Sequence, residues 1–134
     1  MLAECVLVYM VPDASRALLE FFGGRCARAV CVAYEMAGPH DAFGKTMLDN
    51  LRRRGCPLLG LHAVPDCAAQ QARALACGWT RAEALEMLAY FDQVVADDER
   101  WRVCRIAMLD ELEEWRLLLQ LRKERRGGLS LIHI

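Results

Sequence analysis

Apolar and polar positions alternate along the chain in blocks that predict strands and helices. Residues 3–10 (AECVLVYM) form an apolar, valine-rich run closed by Pro12-Asp13, which reads locally as a strand. Asp13 is placed to cap the next segment, a helix carrying Arg16, Ala17, Leu18, Leu19, Phe21 and Phe22 that Gly23-Gly24 would end. Residues 27–34 (ARAVCVAY) predict a second strand, whose continuous apolar centre implies burial on both faces. Strand, helix and strand in this order make a βαβ unit with a right-handed connection.

Further along, Gly38-Pro39 lies in a loop, and a helix starting near Phe43 places Met47, Leu48 and Leu51 on one face. That helix closes at Arg52-Arg53-Arg54-Gly55, where three cations suit the negative end of its dipole. Asp66 predicts the cap of a helix reaching Ala76, which Cys77-Gly78 stops. Residues 79–88 are readable as helix or strand. A helical stretch begins near Tyr90, residues 97–108 predict a charged amphipathic helix, and residues 110–126 another, with Leu112, Trp115, Leu118 and Leu119 at helical spacing. Gly127-Gly128 breaks it. The tail LSLIHI lacks capping or pairing signals and is expected to be non-native, so residues 127–134 stay outside the predicted fold.

The 134 residues suit one domain that buries about two-thirds of its unfolded surface. Apolar residues at 55% and charged residues at 26% exclude disordered and fibrous classes. Seventeen Lys and Arg against eighteen Asp and Glu give a net charge of −1, so no global field draws DNA or an acidic membrane. None of the apolar runs has the roughly 18 residues of a membrane-spanning helix.

Seven cysteines (Cys5, Cys26, Cys31, Cys56, Cys67, Cys77, Cys104) contain no CxxC pair, and His40, His62 and His133 lie far apart, so no metal-ligand spacing is present. An odd count in apolar surroundings points to reduced thiols and a cytoplasmic location.

Glu4-Cys5-Val6-Leu7 with Tyr9-Met10, then Tyr34-Glu35, then Asp41-Ala42-Phe43-Gly44, Asn50-Leu51, Arg54-Gly55-Cys56, Gly78-Trp79 and finally Leu109-Asp110-Glu111-Leu112-Glu113-Glu114-Trp115 follow one another in a set order. In that order and spacing the chain resembles the leucine carboxyl methyltransferase family over about 115 residues. The resemblance implies an α/β fold: residues 1–126 would be the C-terminal part of a doubly wound, Rossmann-like methyltransferase domain using S-adenosyl-L-methionine. No GxG loop occurs in the chain, and the family's final strand is unrecognisable in residues 120–128, so the resemblance implies an incomplete catalytic domain. It also places Glu4 at the carboxyl end of a strand, with residues 5–10 turning away from the sheet, and ligands bind at that end of parallel strands.

The implied reaction is methylation of a protein C-terminal leucine carboxylate, the partner being the C-terminal tail of the protein phosphatase 2A catalytic subunit, whose assembly with regulatory subunits the methyl ester controls. A similar branch methylates a carboxylate on the wybutosine of phenylalanine transfer RNA, so RNA is a partner only under that alternative. Pro39-His40-Asp41, Pro65-Asp66 and Glu113-Glu114-Trp115 lean towards the RNA branch, and Leu51-Arg52-Arg53-Arg54-Gly55-Cys56 towards the phosphatase branch, which is preferred. A third reading is a truncated, non-catalytic chain. The isolated chain is expected to be inactive and only marginally stable, because sheet partners are missing.

A carboxylate titrating near ~3.5 is already a nucleophile at neutral pH, so no general base and no catalytic triad are expected. Among candidate site residues, Glu4 is the one that the resemblance assigns to the cofactor, where a carboxylate can accept hydrogen bonds from a cationic ligand. Tyr9 either donates its hydroxyl to the substrate carboxylate or is a core tyrosine with a satisfied hydroxyl. Tyr34 and Glu35 either line the substrate site or support it. Arg52, Arg53 and Arg54 read as a solvated helix end or as a binding site for an acidic partner. Trp79, Trp101 and Trp115 are expected in packing, His40 at the surface, and Gly44 at the start of its helix.

Overall fold

The structure, a computed structural model, describes residues 1–38, 42–106 and 130–133. The chain opens with strand β1 (Leu2–Glu4), turns sharply at Cys5 with φ of 50°, and makes a short 3-10 turn at Leu7–Tyr9. Helix α1 (Pro12–Arg25) begins on Pro12, whose fixed φ suits a first helical position. Its flanking residue, Val11, gives no side-chain cap, and Asp13 lies in the first turn, where it favours the positive end of the dipole. Strand β2 (Val32–Glu35) leads to helix α2 (Ala42–Arg53), and Gly55 with φ of 77° follows the helix end. Asp66 caps helix α3 (Cys67–Ala76), its side chain accepting the Ala69 N–H at 2.8 Å. Gly78, at φ of 88°, then turns the chain in the left-handed region that glycine adopts without strain. Strand β3 (Glu83–Glu86), helices α4 (Met87–Gln93) and α5 (Asp97–Ile106), and strand β4 (Ser130–His133) complete the described elements.

These strands form one sheet in the order β1-β2-β4-β3. The β1 and β2 strands pair in parallel, while β4 runs antiparallel to β2 and to β3, so the three other strands share one direction. The register places Ala3 opposite Ala33, Ala33 opposite Ile132 and Ile132 opposite Ala84. Ala3, Ala33 and Ala84 are all buried, and their small side chains let Leu19 of α1, Ala74 and Cys77 of α3 and its end, and Trp79 pack close to the sheet. Full burial of Leu19 stabilises the fold by about 1.5–3 kcal/mol. A second cluster joins Val8, Leu58 and Leu61 to the α2 residues Met47, Leu48 and Leu51.

The opposite face of the sheet is more open. Leu2, Glu4 and Glu83 are exposed there, and Val32, Tyr34 and Leu85 are half-buried. The second strand is therefore covered on one face, not on both, and its pattern alternates. The local reading of residues 3–10 as one strand is also corrected: the strand ends at Glu4, where Cys5 departs from extended geometry. Gly23-Gly24 does not end α1. Gly23 sits where an added Cβ would stand 3.1 Å from Nε1 of Trp79, so the glycine admits the indole without stopping the helix.

Residues 79–88 resolve into an irregular start followed by β3. Trp79 is core, as anticipated, but Trp101 is 70% exposed. Ser130–His133 of the tail set aside above pairs on both sides as β4. The helix expected at 110–126, with Trp115, and the residues Pro39, His40 and Asp41 lie outside the described residues.

Candidate functional site

Glu4 is the last residue of β1 and Tyr34 is its register partner in β2, so both side chains lie on the open face of the sheet. The Glu4 carboxylate is exposed and makes no hydrogen bond or ion pair with a described residue. It is therefore available as an acceptor at the carboxyl end of a strand.

Glu35, the next residue after Tyr34, points the other way and is 1% exposed. One carboxylate oxygen accepts the N–H groups of Val6 at 3.2 Å and Leu7 at 2.9 Å, and the second accepts that of Val8 at 3.1 Å. The 3-10 turn has no capping side chain of its own, and this carboxylate, 29 residues away from Val6 in sequence, satisfies its free donors. Burial raises the Glu35 carboxyl above its ordinary value, and the three N–H bonds and the nearby Arg73 guanidinium pull it part of the way back. Of the two alternatives for Glu35, the structure gives it a supporting geometry: no part of its carboxylate faces the open side.

Arg73 was not foreseen from the sequence. Its Nη2 donates to Oε1 of Gln70 at 2.6 Å and its Nη1 to Oγ of Ser15 at 3.4 Å, while its Nε is buried without a partner among the described residues. Burial lowers its affinity for the proton, and Glu35 opposes that change. The three residues Ser15, Gln70 and Arg73 stand on two helices, so sequence spacing alone carried no sign of the cluster.

Tyr34 borders a cavity of about 480 Å³ with Val32, Leu85, Met87, Tyr90 and Val94. Tyr9, 38% exposed, opens elsewhere, onto a groove of about 470 Å³ lined by Leu51, Arg54, Cys56, Pro57 and Leu59. The structure thus brings Glu4 and Tyr34 together on one face, turns Glu35 inward and sets Tyr9 and Arg54 along one groove. Arg52 pairs with Asp49 at 3.3 Å on the surface, and Arg54 lines the groove. The described residues contain no group of His, Cys, Asp or Glu that could hold a metal ion, and no described helix is long and apolar enough to cross a membrane.

An exposed carboxylate at a strand end and a groove lined by a hydroxyl and a guanidinium suit the binding and alignment of charged reactants. Comparison with known proteins finds methyltransferases among the similar ones. The chain is 41% identical over 117 residues to the leucine carboxyl methyltransferase 1 homolog of Arabidopsis thaliana, a match covering 87% of this chain and 35% of that protein. It is 38% identical over 121 residues to leucine carboxyl methyltransferase 1 of Bos taurus, covering 90% of the chain and 35% of the relative. It is also 42% identical over 116 residues to tRNA wybutosine-synthesizing protein 4 of Rattus norvegicus, covering 87% of the chain and 17% of the relative. No family model matches. Over most of its length the chain is similar to leucine carboxyl methyltransferases, matching their C-terminal part. It spans about a third of the length of the family members just described, at 35% of each.

Proposed function

We propose that this chain forms part of an S-adenosylmethionine-dependent carboxyl methyltransferase of doubly wound fold that acts on the C-terminal leucine carboxylate of the protein phosphatase 2A catalytic subunit. The observation that carries the reading is Glu4, exposed and without a partner among the described residues at the carboxyl end of a parallel strand, in a chain 41% identical over 117 residues to a leucine carboxyl methyltransferase 1 homolog.

S-adenosylmethionine supplies an electrophilic sulfonium methyl, and its transfer leaves a neutral methyl ester and S-adenosylhomocysteine. The residues present fit one edge of such a cofactor: Glu4 would accept hydrogen bonds from its donors. The substrate carboxylate is ionised at neutral pH, so the chain has only to hold it and exclude water. Tyr9 and Arg54 share a groove with Gly55, Cys56 and the apolar side chains of Leu51, Pro57 and Leu59. A hydroxyl and a guanidinium can grip a carboxylate while the apolar wall takes a leucine side chain.

The match to tRNA wybutosine-synthesizing protein 4, at 42% identity, favours a second reading in which the carboxylate belongs to a modified transfer-RNA nucleoside. Calorimetric titration of the chain with S-adenosylhomocysteine comes first, followed by transfer of labelled methyl to a leucine-terminated phosphatase peptide and to phenylalanine transfer RNA carrying the carboxylate precursor. Incorporation into the peptide supports the first reading. Incorporation into RNA alone selects the second, and absence of both binding and transfer selects a non-catalytic chain.

A further inference from the structure

Successive backbone N–H groups that converge on one point form a concave anion site. In this chain the concavity made by Val6, Leu7 and Val8 is filled from within by the Glu35 carboxylate, at 3.2, 2.9 and 3.1 Å. The N–H of Cys5, the residue before them, donates to the Tyr34 carbonyl at 2.7 Å. Tyr34 and Glu35 together therefore hold four successive N–H groups, from Cys5 to Val8. The segment they hold is the one that joins Glu4 to Tyr9, and it begins with the left-handed φ of 50° at Cys5, a conformation that costs a non-glycine residue energy and persists only when surroundings impose it.

We propose that Glu35 is a positioning residue: an internal anion that fixes the turn after β1 and so sets the direction in which Glu4 and Tyr9 are presented. What Glu4 and Tyr9 bind rests on the methyltransferase reading, while the fixing of the turn does not. The charged and titratable groups facing Glu35 are the Arg73 guanidinium from α3, which favours the ionised carboxylate, and the Cys31 thiol just ahead of β2. Arg73 is itself held by Gln70 and Ser15, so the counter-charge is fixed as well. When Glu35 takes up a proton, one oxygen changes from acceptor to donor, and the turn loses part of its anchor.

Amide NMR of the complete 134-residue chain, of Glu35→Gln and of Glu35→Asp tests this. In the parent, the Val6, Leu7 and Val8 amides move together through one pH transition that Glu35→Gln abolishes. In Glu35→Gln those amides exchange with solvent about tenfold faster or more, because one acceptor oxygen has become an NH2 donor. The Glu4 and Tyr9 resonances shift, while the Trp79 indole N–H and the Ala69 amide, both distant from the turn in sequence, stay in place. Glu35→Asp keeps the charge on a shorter arm and restores the transition in part. Unchanged exchange, or unmoved Glu4 and Tyr9 signals, would overturn the proposal. Should Glu35→Gln not fold, the parent alone decides, since three amides without a common transition overturn it equally. Titration of the same samples with S-adenosylhomocysteine separates the two readings. A parent that does not bind removes Glu4 as a sufficient cofactor contact in this chain and leaves the turn standing, whereas equal binding by parent and Glu35→Gln removes the positioning role alone.

Discussion

Glu4 and Tyr34 stand side by side in the parallel ladder of β1 and β2, and the chain enters the left-handed region at Cys5 directly after Glu4. An exposed carboxylate in that place contributes little to folding. Glu4→Gln is therefore expected to change stability by no more than about 0.5 kcal/mol. Its loss of charge should nevertheless weaken S-adenosylhomocysteine binding about tenfold or more, the worth of a charge-assisted hydrogen bond. Calorimetry beside thermal melting checks both halves. A large fall in melting temperature, or unchanged binding, would count against Glu4 as a cofactor ligand.

The two adjacent glycines of α1 should respond oppositely to the same substitution. An added Cβ at Gly24 meets nothing within 4 Å, so Gly24→Ala should stabilise the helix by about 0.5–1 kcal/mol. At Gly23 the same carbon would come 3.1 Å from Nε1 of Trp79 and 3.4 Å from the Cys77 carbonyl. The indole cannot yield freely, because its N–H donates to the Leu19 carbonyl at 3.1 Å. Gly23→Ala should therefore destabilise by about 1 kcal/mol or more, as overpacked cores do. Denaturant melts of the two variants decide the matter, and equal stabilisation by both would refute the close approach.

This pair also shows where the sequence could be read and where it could not. Asp66 before an alanine-rich stretch and Gly78 after it marked both ends of α3, because caps depend on atoms a few residues apart. Gly23-Gly24 carried the same local sign and misled, since what decides its geometry is Trp79, brought against it by the fold. The apolar centre of residues 27–34 suggested burial on both sides, but only alternate residues of β2 meet the core.

At the site, the family pattern placed Glu4 and the turn after it, and the βαβ order was visible. The inward direction of Glu35 was not, nor was its grip on Val6, Leu7 and Val8, because pleat and register fix which of two neighbouring residues faces inward. The Arg73, Gln70 and Ser15 cluster draws on two helices and was equally hidden.

The Asp66 cap offers a direct measure of how much α3 contributes. Asp66→Ala removes the acceptor of the Ala69 N–H, now at 2.8 Å, and should cost about 1 kcal/mol, with a lower melting temperature by about 3 °C. Asp66→Asn keeps an oxygen there and should restore most of the loss. A melting temperature unmoved by Asp66→Ala would mean that α3 is held by packing alone.

Cys67, the first residue of α3, sets two influences against each other. A helix N-terminus ordinarily favours a thiolate. Here burial dominates, the Glu86 and Asp66 carboxylates add to it, and the thiol is pushed from 9.0 up to about 11. Cys26 and Cys56 are exposed, so iodoacetamide at pH 8 should modify them first, with Cys67 lagging. Its rate should then rise about tenfold per pH unit towards pH 11, as the thiolate fraction grows. The sign for stability follows from the raised value. Folding keeps this thiol neutral where the unfolded chain would ionise it, so its contribution is complete below pH 9.0 and is lost as pH rises through about 11. Asp66→Asn, which keeps an acceptor for the cap while removing one of the opposing charges, should bring forward the onset of Cys67 alkylation. Mass spectrometry of timed alkylations resolves each cysteine, and a Cys67 that reacts as fast as Cys26 at pH 8 would show that burial does not govern this end of the helix.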